Sequence, residues 1–246
     1  MFYKVYGFHA DMSSILYKLL NMAAKKSLNT APATKTPLDI KHLMTMVQFA
    51  DMSNPFHMCF VTAVSVGFFA LLRRSNICPP SPTEFEPTKH LRRKDIQVTQ
   101  EGIVVSLNWS KTNQHQQKVF TIPIAFFGNQ QLDPPSLFMD FNGRCPVRPE
   151  DPCFSFYVQD HHYVMTHRDL SNMLQEFLKA VGVDRNGITT HSIRKGGCSL
   201  FYRAGIMIPA LKEHGTWSSD SYKTYVHYNM QDKLKVTQSV YKFLKL

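Results

Sequence analysis

TTHSIRKGGCSLFYRAGIMIPALKEHGTWSSDSYKTYVHY, residues 189–228, is the stretch from which the rest of the sequence can be interpreted. A helix that begins near Thr190 places His191 and Arg194 on one face, because residues three apart are neighbours on a helix. The planar guanidinium of an arginine can bind a phosphate through two hydrogen bonds. Three tyrosine hydroxyls follow, at Tyr222, Tyr225 and Tyr228. A phosphate ligand, an imidazole and a hydroxyl nucleophile are the groups that phosphoryl transfer to a protein side chain requires.

Upstream of this stretch, three short segments have the composition and alternation typical of β-strands. They are DIQVTQ (95–100), IVVSLNW (103–109) and VFTIPIA (119–125), with Gly102 as a turn between the first two. A polar tip, SKTNQHQQK, separates the second segment from the third and carries Lys111. The pattern predicts a small three-stranded antiparallel sheet with a lysine at the tip of its second hairpin.

Most other periodic segments indicate helices, so the predicted fold class is mainly α with the small three-stranded antiparallel sheet. Thr36-Pro37 predicts the N-cap and first turn of one helix. Asn54-Pro55 repeats that signal before the apolar run Phe56–Leu72, which is 17 residues long. We interpret this run as a buried core helix rather than a membrane span, for which 17 residues is the lower limit. The helix is expected to end at Arg73-Arg74, where cations suit the helix dipole.

Two further amphipathic helices are predicted towards the C-terminus. Thr166 caps the segment DLSNMLQEFLKAV, which Gly182 closes, and Lys233–Leu246 forms a basic final helix. These elements predict one main domain, residues 36–246. The residues before it, 1–35, contain one short helical pattern and a polar linker, which is too little for an independent domain.

The composition is that of a basic globular protein. Lysines and arginines number 28 against 18 acidic residues, a net charge of +10 that favours nucleic acid as a partner and an anionic membrane surface second. The N-terminal sequence has no signal-peptide pattern. The five cysteines form no CxxC pair, and their odd number indicates free thiols in a reducing, intracellular compartment.

The sequence predicts neither a metal nor a cofactor. Cys145 and Cys153, with His161 and His162, suggest a metal site by residue type, but their spacing fits no zinc pattern. Cleavage of a phosphodiester by a protein nucleophile requires instead cations for the non-bridging oxygens and an acid for the leaving oxygen.

Four segments, in order, resemble the motifs of the tyrosine recombinase family (lambda-integrase, Cre and Xer). LLRRSNI resembles the first-arginine motif, with Arg73 in the matching position, and NWSKTNQ resembles the hairpin of the family's lysine, which Lys111 matches. THSIRKGG supplies His191 and Arg194, and HGTWSSDSYKTYVHY resembles the segment that ends at the nucleophile. The Gly-x-Trp-Ser-Ser-Asp pattern and the proline-rich loop after the first arginine are most similar to animal DIRS-type and Crypton-type element recombinases.

The resemblance implies a tyrosine recombinase-like catalytic domain at 36–246 and a remnant of the family's N-terminal helical domain at 1–35. It implies DNA strand cleavage and rejoining, in recombination or integration, through a covalent 3′-phosphotyrosine and without a cofactor. The implied catalytic residues are Arg73, Lys111, His191, Arg194, Trp217 and Tyr225. Double-stranded DNA is the implied partner, on which four protomers would assemble through the C-terminal helix. In a eukaryote the expected location is the nucleus, and no membrane association is expected.

Several assignments within this resemblance stay open. Tyr228 competes with Tyr225 for the role of nucleophile, and His214 competes with Trp217. Asn76 stands where the family often has an acidic residue. Because only about 35 residues precede the catalytic part, most of the N-terminal clamp is expected to be missing. The alternative function is therefore a catalytically inactive or domesticated DNA-binding module.

Overall fold

The computed structural model describes residues 15–27, 35–108, 119–128 and 132–226, together with positions 230, 234 and 238. The chain divides into two units, residues 1–34 and residues 35–246. The described element of the first unit is helix α1, Ile15–Ser27. Four apolar side chains of α1 are exposed: Ile15, Leu19, Leu20 and Met22.

The second unit is mainly helical, with two small antiparallel sheets in its described part. Its helices are α2 Ile40–Phe49, α3 Pro55–Phe69, α4 Arg74–Ile77, α5 Pro134–Arg144, α6 His167–Ala180, α7 Thr190–Arg203 and α8 Ile208–His214. Its strands are β1 Ile96–Thr99, β2 Gly102–Leu107, β3 Phe120–Ala125, β4 Ser155–Val158 and β5 His161–Val164. Short 3-10 helices cover Pro82–Glu84, Arg93–Asp95 and Asp220–Thr224. The predicted fold class is confirmed.

Helix α3 forms the centre of the core. Asn54 caps it by accepting a hydrogen bond from the Phe56 N–H at 2.9 Å, and Pro55 occupies the first turn, where its missing N–H costs nothing. Every residue from 58 to 69 is buried, and α5 and α7 pack against the helix. The apolar run therefore forms a core helix, as predicted. Within the described ranges, no helix has the length and hydrophobicity needed to cross a membrane.

The three-stranded sheet has the predicted antiparallel order, β1-β2-β3. Ile96 pairs with Val105, and Val105 pairs with Ile122, so buried apolar side chains form a row across the strands. Gly102 is the first residue of β2 rather than a turn residue. The hairpin tip predicted to carry Lys111 lies outside the described residues.

The predicted start of α2 at Thr36-Pro37 is wrong, because Asp39 is the N-cap. The residues before Asp39 are committed to long-range backbone hydrogen bonds. The Thr36 N–H donates to the Gly187 carbonyl at 3.0 Å, and the Leu38 N–H donates to the Ser192 carbonyl at 2.9 Å. These bonds hold residues 36–38 in an extended conformation against the start of α7.

Helix α3 ends at Phe69, before its predicted end at Arg73-Arg74. Leu71 has a φ of 51°, a left-handed conformation that costs a residue with a side chain about 1–2 kcal/mol. The chain turns there, and α4 begins one residue after Arg73. The predicted interaction of two arginines with the C-terminal dipole of the apolar helix is therefore wrong.

Other predicted elements have mixed outcomes. Thr166 caps α6 as predicted, in a reciprocal capping box with Asp169. Strands β4 and β5 pair in an antiparallel arrangement, and β5 was not expected from the sequence. The predicted helix Lys233–Leu246 lies outside the described residues, except for the helical positions Leu234 and Gln238.

Candidate active site

A cleft of about 530 Å³ lies between the start of α7 and the start of α4. It is lined by Lys35, Leu72, Arg73, Arg74, Ser75, His167, Ser171, Thr189, Thr190, His191, Arg194 and Tyr225. Four predicted site residues therefore meet in one place: Arg73, His191, Arg194 and Tyr225. Among these lining residues are four lysine or arginine cations and no carboxylate, so the cleft favours an anion.

Arg194 is the most deeply buried of the four, with 2% of its surface exposed. One terminal nitrogen donates to the Leu71 carbonyl, and the other donates to the Gly215 carbonyl at 2.7 Å. Its Nε atom is buried and has no hydrogen-bond partner within the described part of the chain. Burial, and then the charge of Arg73, lowers the pKa of Arg194 to about 9, which still leaves the group charged at neutral pH. The left-handed turn at Leu71 and the loop after α8 thus hold a charged guanidinium in place.

Two glycines explain how α7 comes close enough for these bonds. A Cβ at Gly196 would lie 2.0 Å from the Leu38 carbonyl oxygen, and a Cβ at Gly197 would lie 2.1 Å from the Phe68 carbonyl oxygen. Any side chain at either position would push α7 away from its neighbours. The glycine pair that follows Arg194 therefore sets the helix spacing on which the Arg194 hydrogen bonds depend.

Arg73 lines the cleft with Arg194 and occupies the N-cap position of α4. Its backbone N–H donates to the Asn76 side-chain oxygen at 3.2 Å. Burial lowers the pKa of Arg73, and the nearby Tyr225 hydroxyl partly offsets this effect by charge and hydrogen bonding. One terminal nitrogen of Arg73 is buried without a partner in the described ranges. Asn76, which replaces the acidic residue frequent in the resembled family, thus orients the backbone that carries Arg73.

His191 lies half-buried beside Tyr225, with 4.9 Å between the ring centroids. Burial lowers the pKa of His191 most, followed by the charges of Lys35, Arg194, Lys195 and Arg73. Since the ordinary value is already near 6.5, the imidazole is neutral at pH 7. A neutral imidazole can accept a proton from a neighbouring hydroxyl.

Tyr225 follows the 3-10 helix Asp220–Thr224 and faces the cleft. Its ring centroid lies 5.1 Å from the Arg194 Cζ, and its backbone carbonyl accepts a hydrogen bond from the Ser199 hydroxyl at 3.1 Å. Tyr222 is instead buried in a second apolar cluster. Tyr228 lies outside the described residues, so Tyr225 as the nucleophile stays a prediction.

Trp217 and His214 lie in different environments. The Trp217 ring stacks on Arg194, with 4.3 Å from the Arg194 Cζ to the ring centroid, and its indole N–H is buried without a partner in the described structure. His214 is engaged elsewhere, because its Nε2 is hydrogen-bonded to the Phe69 carbonyl at 2.7 Å. Trp217 is not among the residues that line the cleft, although its ring contacts both Arg194 and Tyr225.

Some lining residues were not selected from the sequence. Lys35, Arg74, Ser75, His167 and Ser171 all line the cleft. Arg74 and Ser75 stand beside Arg73 in LLRRSNI but were assigned no catalytic role, and Lys35, His167 and Ser171 stand in segments without a recognisable motif. Lys111 lies outside the described residues, so its predicted place in the site stays a prediction.

The cysteines do not form a second site. All five are buried free thiols: Cys59, Cys78, Cys145, Cys153 and Cys198. Burial is the main cause that raises the pKa of Cys153 to about 12 and that of Cys198 to about 11, so these thiols stay protonated. Within the described ranges, no group of three or more His, Cys, Asp or Glu side chains could hold a metal ion.

Comparison with solved structures identifies known proteins that share this fold. No family model matches the sequence, and no curated protein matches it. A structure of the XerH site-specific recombinase bound to a palindromic difH substrate, a post-cleavage complex, superposes with a TM-score of 0.62 at 14% identity. That match covers 87% of this chain and 55% of XerH, so the chain spans little more than half the length of that protein.

Two further structures agree. The XerA recombinase gives a TM-score of 0.60 at 13% identity, over 97% of this chain and 70% of XerA. A lambda integrase (75-356) dimer bound to a COC′ core site gives a TM-score of 0.57 at 12% identity, over 86% of this chain and 70% of the integrase. At these identities the likeness establishes the fold, and that fold is the one found in tyrosine recombinase catalytic domains.

Proposed function

We propose that this chain cleaves and rejoins DNA strands in site-specific recombination or integration, with Tyr225 as the nucleophile. One observation carries the proposal: Arg73 before α4, His191 and Arg194 on α7, and Tyr225 after the last 3-10 helix line one cationic cleft. The recombinase fold supports it, because the XerH and lambda integrase structures named above are DNA complexes.

In the proposed reaction, the Tyr225 hydroxyl oxygen attacks the phosphorus of a DNA phosphodiester. The bond from phosphorus to the 5′ oxygen breaks, leaving a 3′-phosphotyrosine and a free 5′-hydroxyl. His191 is neutral and adjacent to Tyr225, so it accepts the tyrosine proton during attack. The leaving 5′ oxygen takes a proton from Lys111 or from the His191 that has just been protonated. Attack by a 5′-hydroxyl on the phosphotyrosine reverses these steps and rejoins a strand.

The two arginines and the indole would stabilise the pentacoordinate phosphorus. Arg73 has an unpartnered terminal nitrogen and Arg194 an unpartnered Nε within the described structure, so each retains a donor for a non-bridging oxygen. The buried indole N–H of Trp217 is a third such donor. Donors fixed in place before the reaction need little reorganisation as charge develops, and each is typically worth about 10²–10³ in rate.

The resemblance of the sequence motifs extends the proposal. We assign residues 36–246 to the catalytic domain and residues 1–35 to the N-terminal helical domain and its linker. Double-stranded DNA is the proposed partner, and the net charge of +10 supports that choice. Assembly of four protomers through the C-terminal helix, an origin in a DIRS-type or Crypton-type mobile element, and a nuclear location in a eukaryote complete the proposal.

The test uses a nicked DNA duplex from which the cleaved fragment diffuses away, so that a covalent complex accumulates. Because the natural site is not defined by the sequence, a pool of duplexes with randomised cores serves as the substrate. We expect a covalent complex with the wild-type chain and none with Tyr225→Phe. Tyr222→Phe is the matched control, since that ring packs in the second cluster and should retain the complex.

The other outcomes are equally informative. A complex that persists in Tyr225→Phe and disappears in Tyr228→Phe would transfer the nucleophile to Tyr228. Salt-sensitive DNA binding without any covalent complex in the wild-type chain would instead support a catalytically inactive DNA-binding module.

A further inference from the structure

We propose that Lys35 is a further residue of this site and that its ammonium contacts a non-bridging oxygen of the phosphate attacked by Tyr225. The inference rests on the proposed function. It concerns a residue that precedes the first predicted element of the main domain and belongs to none of the recognised motifs.

The backbone around Lys35 is held firmly at the start of α7. The Thr36 N–H donates to the Gly187 carbonyl, and the Leu38 N–H donates to the Ser192 carbonyl, both within about 3 Å. The Lys195 ammonium also donates to the carbonyl of Lys35 itself, at 2.6 Å. Three hydrogen bonds thus fix the carbonyl of Lys35 and the chain that follows it.

Close packing brings this segment beside the catalytic helix. Gly196 has no side chain, and a Cβ there would lie 2.0 Å from the Leu38 carbonyl oxygen, so the extended segment lies directly against α7. Lys35 consequently lines the same cleft as His191 and Arg194. The charge of Lys35 also contributes to the lowered pKa of His191, in keeping with their shared place in the cleft.

The other cations of the cleft leave room for the Lys35 ammonium to bind a phosphate oxygen. Both terminal nitrogens of Arg194 already donate to backbone carbonyls, so this guanidinium is fixed and retains only part of its hydrogen-bonding capacity. Lys35 is exposed, and no carboxylate pairs with it in the described part of the chain. A flexible ammonium of this kind can follow a phosphate oxygen as the phosphorus becomes pentacoordinate.

The test measures the rate of covalent complex formation for Lys35→Gln, Lys35→Arg and the control Lys41→Gln. Lys41 is an exposed lysine on α2 that does not line the cleft, so its variant controls for the loss of one positive charge. Each variant is compared on normal DNA and on DNA with sulfur in place of the bridging 5′ oxygen. A thiolate leaves without protonation, so that substrate removes the need for an acid.

We expect Lys35→Gln to slow cleavage about 10²- to 10³-fold on both substrates, the range seen for loss of one transition-state donor. Lys35→Arg should retain most of the rate, and Lys41→Gln should cleave like the wild type. An unchanged rate in Lys35→Gln, beside a normal wild-type complex, would refute the role of Lys35 alone. Rescue of Lys35→Gln by the sulfur substrate would also refute the phosphate contact, because it identifies a proton donor. Failure of the wild-type chain to form a complex on either substrate would overturn the proposed function together with this inference.

Discussion

Replacing Gly197 with alanine tests how the fold builds the site. The new Cβ would lie 2.1 Å from the Phe68 carbonyl oxygen and 2.7 Å from a methyl carbon of Leu71. Carbon and oxygen in van der Waals contact are about 3.3 Å apart or more, so α7 must move by roughly 1 Å. The Arg194 guanidinium lies on that helix and donates to the Leu71 carbonyl, so the movement strains its hydrogen bond.

The expected cost combines two effects. Inserting a methyl group into a packed contact costs about 1–3 kcal/mol, and losing a buried hydrogen bond from a charged donor costs about 1.5–3 kcal/mol. The better helix propensity of alanine returns about 1 kcal/mol. We therefore expect Gly197→Ala to lower the free energy of unfolding by about 1.5–5 kcal/mol, a large part of the about 5–15 kcal/mol typical of a folded domain.

Urea denaturation of the wild type, Gly197→Ala and Gly143→Ala measures this effect. Gly143 lies in α5, and a Cβ there would meet no atom within 4 Å. The same substitution should therefore stabilise the protein by up to about 1 kcal/mol at Gly143. A Gly197→Ala variant as stable as the Gly143→Ala variant would refute the close packing of α7 against α3.

Three further predictions follow from the same structure. A Cβ at Gly215 would lie 1.9 Å from the Trp217 ring. Gly215→Ala should therefore displace that ring and change the tryptophan fluorescence. An unchanged emission spectrum would contradict this contact. Burial lowers the pKa of His214, so the unfolded chain binds its proton more readily, and the free energy of unfolding should fall as the pH drops below about 7. His214→Gln should make that fall shallower in urea titrations between about pH 7 and 5, and an equal slope would argue against it. The Arg93 side chain is buried and donates to three backbone carbonyls. Arg93→Met should therefore lower the free energy of unfolding by more than about 3 kcal/mol, and a loss under about 1 kcal/mol would contradict that structural role.

The parts of the fold that the sequence predicted are those governed by local rules. The caps at Asn54 and Thr166 depend on a side chain and an N–H group a few residues away, so their residue types are sufficient evidence. The three strands were predicted because each alternates polar and apolar residues around turn signals. Such local rules fail where long-range contacts determine the conformation of the backbone. Thr36-Pro37 has a sound local signal for a helix start, but its backbone bonds to residues about 150 positions away.

The same distinction applies to the candidate site. His191, Arg194, Arg73 and Tyr225 could be selected because they stand in motifs, and the structure brings all four to one cleft. Lys35 could not be selected from the sequence, because it is one lysine in a polar segment without a motif. The position of that segment depends on hydrogen bonds to α7 and to the loop that precedes α7. The left-handed Leu71 was equally unpredictable, since a leucine in an apolar run normally continues the helix.

The most direct test of the central claim is to identify the residue that carries DNA in the covalent complex. Trypsin cleavage after Lys223 and Lys233 releases a peptide with two tyrosines, Tyr225 and Tyr228, and fragmentation in a mass spectrometer distinguishes them. We expect a nucleotide attached through its 3′-phosphate to Tyr225. A nucleotide on Tyr228, or on no tyrosine of this peptide, would contradict it.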